Sequence, residues 1–550
     1  MQNDESLFAT PLYQGMTRHL RLFHHNVQLM LMTYLGTLKT FLWAPVLHWF
    51  GPSVWSVRLP AVLLSALTVF FFHRLLRLAG VSKTVAGVCA LVLATDPVFL
   101  LTNTFDWGPV AVEHFFVVTA CVCLVRWSKK QTHLWLCLGF FLLGLALWNK
   151  AIFLWSLGGL AIASVAVFRH EWRTLVTKQR LALAAASFLV GSSPFLFYNL
   201  NNRSATLRDN AHLDSPAVAF SKWIALKNTI NGNGLFGYMV EEESDEHPKD
   251  VSTRLGRASL WLRERVGQRR ESGLYWVYLG LLVAAPLWWR RRMAWFAVLY
   301  CATAWAAMAF TREAGGSLHH TILLWPFPLL LVAVVLSRIP WKIAVVVAGV
   351  GLVGANLLVL NQYLAQFERF GPARDFTDAL FPLAEAVPTG SNVYVVDWGM
   401  YNTLLLFHKK GALLHTGNEP FMDATMSEPQ MRQAVTMLDD RDALFLGHVP
   451  EKEVFEGVQA RLESFAATRG LHKQVVRIVY DSNGRPMFQV FQFVRKAARQ
   501  EPRRGGASGL DVAQASQPTA GCGPGGPPSA DCDSVSQRRV QGPQYWPRAM

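Results

Sequence analysis

Ala94-Thr-Asp-Pro-Val-Phe-Leu-Leu-Thr-Asn-Thr-Phe-Asp-Trp-Gly-Pro109 joins two long apolar runs, one over about residues 84–103 and one over about 107–125. Each approaches the roughly 20 residues that an α-helix needs to cross about 30 Å of hydrocarbon. The stretch therefore reads as a hinge at the water boundary of a membrane, with Asp106 in it. Acids in such places are costly, and those that occur face a cavity or a partner. Two readings of Asp106 stand: a loop residue just outside the lipid with Trp107 as its interfacial anchor, or part of a reactive site. Position alone does not separate them.

Working outward, apolar runs recur at about 59–79, 84–103, 107–125, 133–149, 151–168, 181–199, 273–289, 293–311, 319–337 and 341–360, which makes ten expected spans. Composition agrees: of 550 residues, 52% are hydrophobic and only 16% charged, with 20 Trp and 35 Phe, too apolar for a soluble enzyme of this length. The net charge of +15 comes mostly from short basic runs between spans, not from a nucleic-acid-binding stripe. Of seven cysteines, five lie in apolar spans and Cys522 and Cys532 in the tail, with neither metal spacing nor a disulfide framework.

The basic residues also assign the sides. Alternate connections carry Arg74, Arg77 and Lys83; Arg126, Lys129 and Lys130; Arg169, Arg173, Lys178 and Arg180; Arg290, Arg291 and Arg292; and Arg338 with Lys342. The intervening short ones carry only Lys150 and Arg312. Basic loops stay cytoplasmic. Residues 1–58, Asp106, Lys150, the loop 200–272, the stretch from Arg312 to His320 and everything beyond about 361 then share the opposite, periplasmic face of an inner membrane. The start, Met-Gln-Asn-Asp-Glu, is not a signal peptide, and one further helix upstream is expected to bring it outside.

Residues 1–58 read as an outer loop with a re-entrant or interfacial segment broken by Pro45, Gly51 and Pro52. In the loop 200–272 the acidic run 241–246 lacks the spacing of a calcium loop. Residues 251–270 suit a helix lying on the membrane surface. Residues 361–495 change character, with strands expected at 392–396, 443–446, 475–479 and 487–494 and helices around 373–386, 428–438 and 451–467: a small α/β or α+β domain. Residues 496–550, rich in Gly, Pro, Ser and Gln, read as disordered.

Three features meet on the outer face: Asp4-Glu5, Asp106, and Gly315-Gly-Ser-Leu-His-His-Thr-Ile-Leu-Leu-Trp-Pro-Phe-Pro328. The last sets His319 and His320 at the mouth of a proline-broken helix, near Arg312, an arrangement suited to a phosphate head group. Asp4-Glu5, Tyr34-Leu-Gly-Thr-Leu-Lys39, Phe50-Gly51 and Val57-Arg-Leu-Pro60 resemble the first outer loop of the dolichyl-phosphate-mannose protein mannosyltransferases and their bacterial relatives, among them the lipid A aminoarabinose transferase. Thr95-Asp-Pro97, Asp106-Trp-Gly-Pro109 and the His pair before Pro326-Phe-Pro328 resemble later signatures of the bacterial branch, over about residues 1–360.

The resemblance implies an inverting transferase of the GT-C class, mannosyltransferase-like, passing a sugar from a polyprenyl-phosphate donor to an acceptor hydroxyl of a protein, lipid or glycan. Such a hydroxyl attacks well only when a carboxylate takes its proton. The resemblance gives Asp4 that role, Glu5 a supporting one on an extended segment, and Asp106 the positioning of acceptor or sugar. The leaving phosphate must meet cations. Arg58, His319, His320, Arg312 and Lys39 are the candidates, Lys39 the weakest of them, and no metal or other cofactor is demanded. Arg58 has a second reading, a side chain snorkelling to lipid phosphates. The alternative class is a transporter or flippase of lipid-linked substrate. It should show two related halves with broken helices meeting near the midplane, and no internal repeat is seen.

Overall fold

The computed structural model describes residues 3–10, 19–22, 25–242, 248–312, 314–407 and 413–495. The expected tail and most of the acidic run 241–246 lie outside these residues. Five helices are long and apolar enough to cross a membrane: Val54–Leu78, Val110–Lys130, Lys178–Asn201, Arg292–Phe310 and Lys342–Phe370. Three pairs bent at a short break bring the number to eight if each is one span, and His133–Asn149 and Leu274–Val283 are shorter apolar helices. Each of the ten apolar runs thus forms helix. Val54–Leu78 shows why: Leu59, Leu63, Leu67 and Phe70 are exposed, while Val57, Ala61, Thr68, Phe72 and Leu75 are buried. One face suits lipid and the other packs on the bundle.

Two breaks position the site. Pro97 has no N–H to donate and forces the residue before it out of the helix. Lys83–Thr95 accordingly ends there, and Asp96 becomes the N-cap of Pro97–Thr104, its Oδ1 accepting from Phe99 N at 2.9 Å. The two pieces meet at 58°. Leu318–Leu324 and Pro328–Leu336 bend by 40° across Trp325-Pro326-Phe327. Trp325 Nε1 then donates to the second oxygen of Asp96 at 3.0 Å, stitching the two broken spans together inside the bundle.

Four points depart from the sequence reading. Asn3–Leu7 is a short helix and not an extended segment. The last span runs on to Phe370, ten residues past its expected end at 360, as one 29-residue helix. The expected helix over 373–386 is split into a 3₁₀ turn, Arg374–Phe376, and Leu380–Ala386, and the one over 451–467 begins only at Val458. Finally, three strands appear that the sequence did not suggest: a short antiparallel pair at 19–22 and 25–28, and one strand at the edge of the large sheet.

The strands are β1 His19–Leu22 and β2 His25–Gln28, which pair antiparallel, then β3 Asn392–Val395, β4 Leu413–Thr416, β5 Leu444–His448, β6 Leu471–Tyr480 and β7 Pro486–Arg495. The last five form one sheet in the order β4-β3-β5-β7-β6, with β3 parallel to β4 and β5, and β5 antiparallel to β7. Val393, Val395 and Leu446 pack on one face with Leu380, Leu383 and Leu404. Phe445 and Phe491 pack on the other with Met437 and Leu462. Helices thus cover both faces, and the central strands are buried. Residues Met1–Val494 form a single unit.

Candidate active site

The loop Phe105–Pro109 is built to turn sharply. Asp106 (φ 51°) and Gly108 (φ 62°) both take left-handed backbone, which a non-glycine residue adopts at some cost. Asp106 Oδ1 accepts from Ala111 N at 2.7 Å, anchoring the carboxylate at the start of Val110–Lys130. Its other oxygen lies 2.8 Å from Lys39 Nζ, and both side chains are almost fully buried. Lys39 also sits under two rings, 4.5 Å from the centroid of Phe8 and 5.2 Å from that of Trp43.

A second cation closes over the loop from the other side. Lys150 is 1% exposed, and its Nζ lies 3.5 Å from His319 O. A Cβ on Gly108 would approach Lys150 Nζ to 3.0 Å and His319 Cδ2 to 3.5 Å, so glycine there lets both side chains settle against the loop. Lys150 is fixed by backbone. Gly36 N donates to Asn149 O at 3.1 Å, Ala151 N donates to Tyr34 O at 2.8 Å, and Leu35 bridges Lys150 antiparallel. Any Cβ on Gly36 would lie 1.8 Å from Trp148 O, so the close approach of the two backbones requires glycine. Asn149 Nδ2 ties the same turn to Pro109 O at 3.2 Å and to Glu113 Oε2 at 2.8 Å.

The histidines complete the wall. His319 is half-buried, its Nδ1 2.7 Å from Ser317 Oγ and its ring 4.5 Å from that of Trp107. Trp107 in turn stacks on Tyr238 at 4.5 Å. The His320 ring lies 4.1 Å from that of His319, and its buried Nδ1 has no hydrogen-bond partner among the described residues. Glu5 is buried and holds Arg58 in a bidentate pair, Nε to Oε1 at 2.5 Å and Nη2 to Oε2 at 2.9 Å. Through Phe8, the segment carrying Glu5 also reaches Lys39.

The structure thus brings Asp106, Lys39, His319 and His320 together around the Phe105–Pro109 loop, with Glu5 on the segment whose Phe8 meets Lys39. The Asp4 side chain lies outside the described residues. Arg312 is placed elsewhere: it is 61% exposed and faces Asp214 at 4.0 Å. Lys39, the weakest candidate in the sequence, is at the centre. Lys150 and Glu113 were not among the candidates at all. The one signal for Lys150 is its place as a lone basic residue in an otherwise uncharged short connection between two apolar runs.

Comparisons with known proteins bear on the fold. Residues 38–198 match the family described as dolichyl-phosphate-mannose-protein mannosyltransferase, a segment that carries Lys39, Asp106 and Lys150. The chain superposes on ArnT from Cupriavidus metallidurans in the apo state with a TM-score of 0.53 at 13% identity, covering 89% of this chain and 93% of that one. The chain has the GT-C fold. The same ArnT bound to undecaprenyl phosphate gives a TM-score of 0.51 at 12% identity, with 88% and 93% covered. No curated protein sequence matches. At such low identity the GT-C likeness concerns the fold, and the site rests on its own geometry.

Proposed function

We propose that the protein is an inverting glycosyltransferase. It moves a sugar from a polyprenyl-phosphate donor to an acceptor hydroxyl on the outer face of the membrane. The observation that carries this reading is the buried Lys39–Asp106 pair flanked by Lys150 and the His319–His320 wall; Lys39, Asp106 and Lys150 lie inside the segment that matches a dolichyl-phosphate-mannose-protein mannosyltransferase family. A solved structure with this fold holds undecaprenyl phosphate, and that lipid is a fitting leaving group here. As the glycosidic C–O bond breaks, charge grows on the lipid phosphate. Cations already fixed in a dry pocket stabilise it without reorganising. Lys39, Lys150 and Arg58 serve as those cations, and His320 offers a free ring nitrogen. Positive side chains suffice for a monophosphate, so no divalent metal or other cofactor is invoked.

The acceptor proton needs a base. Asp106 has one oxygen on a backbone N–H and the other on Lys39, and both oxygens of Glu5 are taken by Arg58. These two carboxylates therefore position and neutralise. Asp4 is assigned the proton. The acceptor, whether protein, lipid or glycan, attacks C1 from the face opposite the departing phosphate, which inverts the anomeric centre.

The test uses the full chain in nanodiscs with radiolabelled polyprenyl-phosphate sugars, alongside glycolipid and glycoprotein profiles of a deletion strain and its parent. Asp4→Asn, Lys39→Met and Asp106→Asn should each cut transfer by about a hundredfold or more, the worth of a lost general base or fixed charge. Unchanged transfer in Asp4→Asn and Asp106→Asn would overturn the assignment. Movement of the lipid between leaflets without any sugar transfer would favour a flippase.

A further inference from the structure

The site described so far is drawn from residues before Trp325, yet its acidic N-terminal segment rests on the domain at the far end of the chain. Asn3–Leu7 packs on the helix Tyr401–Phe407, which follows β3. Ser6 Oγ lies 3.1 Å from Thr403 Oγ1, with both side chains buried. Thr10 Oγ1 donates to Ser6 O at 2.9 Å and to Asn402 O at 3.4 Å. Leu406, one turn on from Thr403, enters the apolar cluster that also holds Ala9, Leu38 and Val57.

A five-residue helix does not hold itself in place. Isolated helices shorter than about 12–15 residues are marginal in water, and their position is set by what they pack against. This one carries Glu5, which fixes the Arg58 guanidinium, and is followed by Phe8, whose ring covers the Lys39 ammonium. The surface that could have let the segment slide is pinned by a buried hydroxyl pair. Losing one member leaves the other without its partner in a dry place.

We infer that Thr403, with Ser6 and Thr10, is a positioning residue. The outer domain grips the Glu5–Phe8 segment, and through it sets Arg58 and Lys39 where a lipid phosphate meets them. That the cations meet a lipid phosphate rests on the function proposed above; the grip itself does not.

The experiment compares Thr403→Val, Thr403→Ser and Thr10→Val with the unaltered full chain in nanodiscs. Hydrogen exchange is read over residues 3–10, and binding of a polyprenyl phosphate is read with no sugar donor present. Thr403→Val should raise exchange over residues 5–10 by about tenfold, a local opening, while β5 and β7 keep their protection. It should weaken polyprenyl phosphate binding by about fivefold, the net worth of one hydrogen bond. Thr403→Ser, which keeps the hydroxyl, should restore both. If Thr403→Val unfolds the domain, Thr10→Val carries the same expectations. Unchanged exchange over residues 3–10 in both valine variants overturns the grip. Raised exchange with unweakened binding overturns its link to the cations. A wild-type chain that binds no polyprenyl phosphate overturns that link together with the proposed function, and the exchange data alone then decide the grip.

Discussion

Lys39 and Asp106 are 67 positions apart, yet their side chains meet as a buried ion pair with Nζ 2.8 Å from the carboxylate. Removing one member of a buried pair strands the other and costs about 3–5 kcal/mol, whereas replacing both by apolar groups is often neutral. Lys39→Met should therefore lower stability by that amount, and Lys39→Met with Asp106→Leu should regain most of it while transfer stays lost. Thermal unfolding and sugar transfer, measured on the same three preparations, check this. Gly36→Ala makes a sharper case. Its Cβ would lie 1.8 Å from Trp148 O, so this smallest of substitutions should part the Tyr34–Gly36 stretch from the Asn149–Lys150 turn. The expected result is poor yield of folded protein and little transfer from what folds. A Gly36→Ala protein as stable and active as the parent would show that the two backbones are not in contact.

At the scale of elements, the two proline breaks matter through what joins them. Asp96 caps Pro97–Thr104 and receives Trp325 Nε1. An N-cap replaced by Ala costs about 0.5–2 kcal/mol. Asp96→Ala should lower the melting temperature, and Trp325→Phe, which loses only the donor, should lower it less. In the C-terminal domain, Asp397 follows β3 and lies 2.7 Å from His448 Nδ1, while also accepting from Val454 N and Phe455 N. Burial pushes this carboxyl up, but the hydrogen bond and charge of His448 together with the two N–H groups outweigh it and hold it below its usual value. A carboxyl lowered in the folded state contributes fully above its unfolded pKa of about 3.9 and loses that contribution as pH falls through the native value. Acid unfolding of the domain, followed by exchange at β5, should therefore set in below about pH 4 in the parent. Asp397→Asn should be less stable at neutral pH, with a flatter acid limb.

For the molecule as a whole, the spans are legible because hydrocarbon thickness writes itself into run length, and β3, β5, β6 and β7 because each holds a cluster of Val, Ile, Leu or Phe. β4 was missed: it is a four-residue edge strand, Leu413–Thr416, with little burial to mark it. The short helix Asn3–Leu7 was read as extended, since five residues hold too little periodicity to tell. Among site residues, the acids and histidines stood out as costly groups near apolar runs. Lys39 enters the candidates only through the resemblance, because its partner is remote in sequence, and Lys150 does not enter them, because a lone lysine in a turn is ordinary. Pairings across tens or hundreds of positions, such as Glu5 with Arg58 or Ser6 with Thr403, follow from the fold and leave no local trace. Sidedness belongs to this scale too. A protease site inserted after β7 should be cut from outside intact spheroplasts; cutting only from the cytoplasmic side would remove the basis for an outer-face enzyme.

The helix Lys342–Phe370 carries a mechanical consequence. Its 29 residues make a rod about 43 Å long at 1.5 Å each, against a hydrocarbon slab of about 30 Å. Proline is absent from it, so the rod runs past the slab without a proline break, and the C-terminal domain follows as its head. Bilayer thickness then becomes a lever on the distance between that head and the lipid plane.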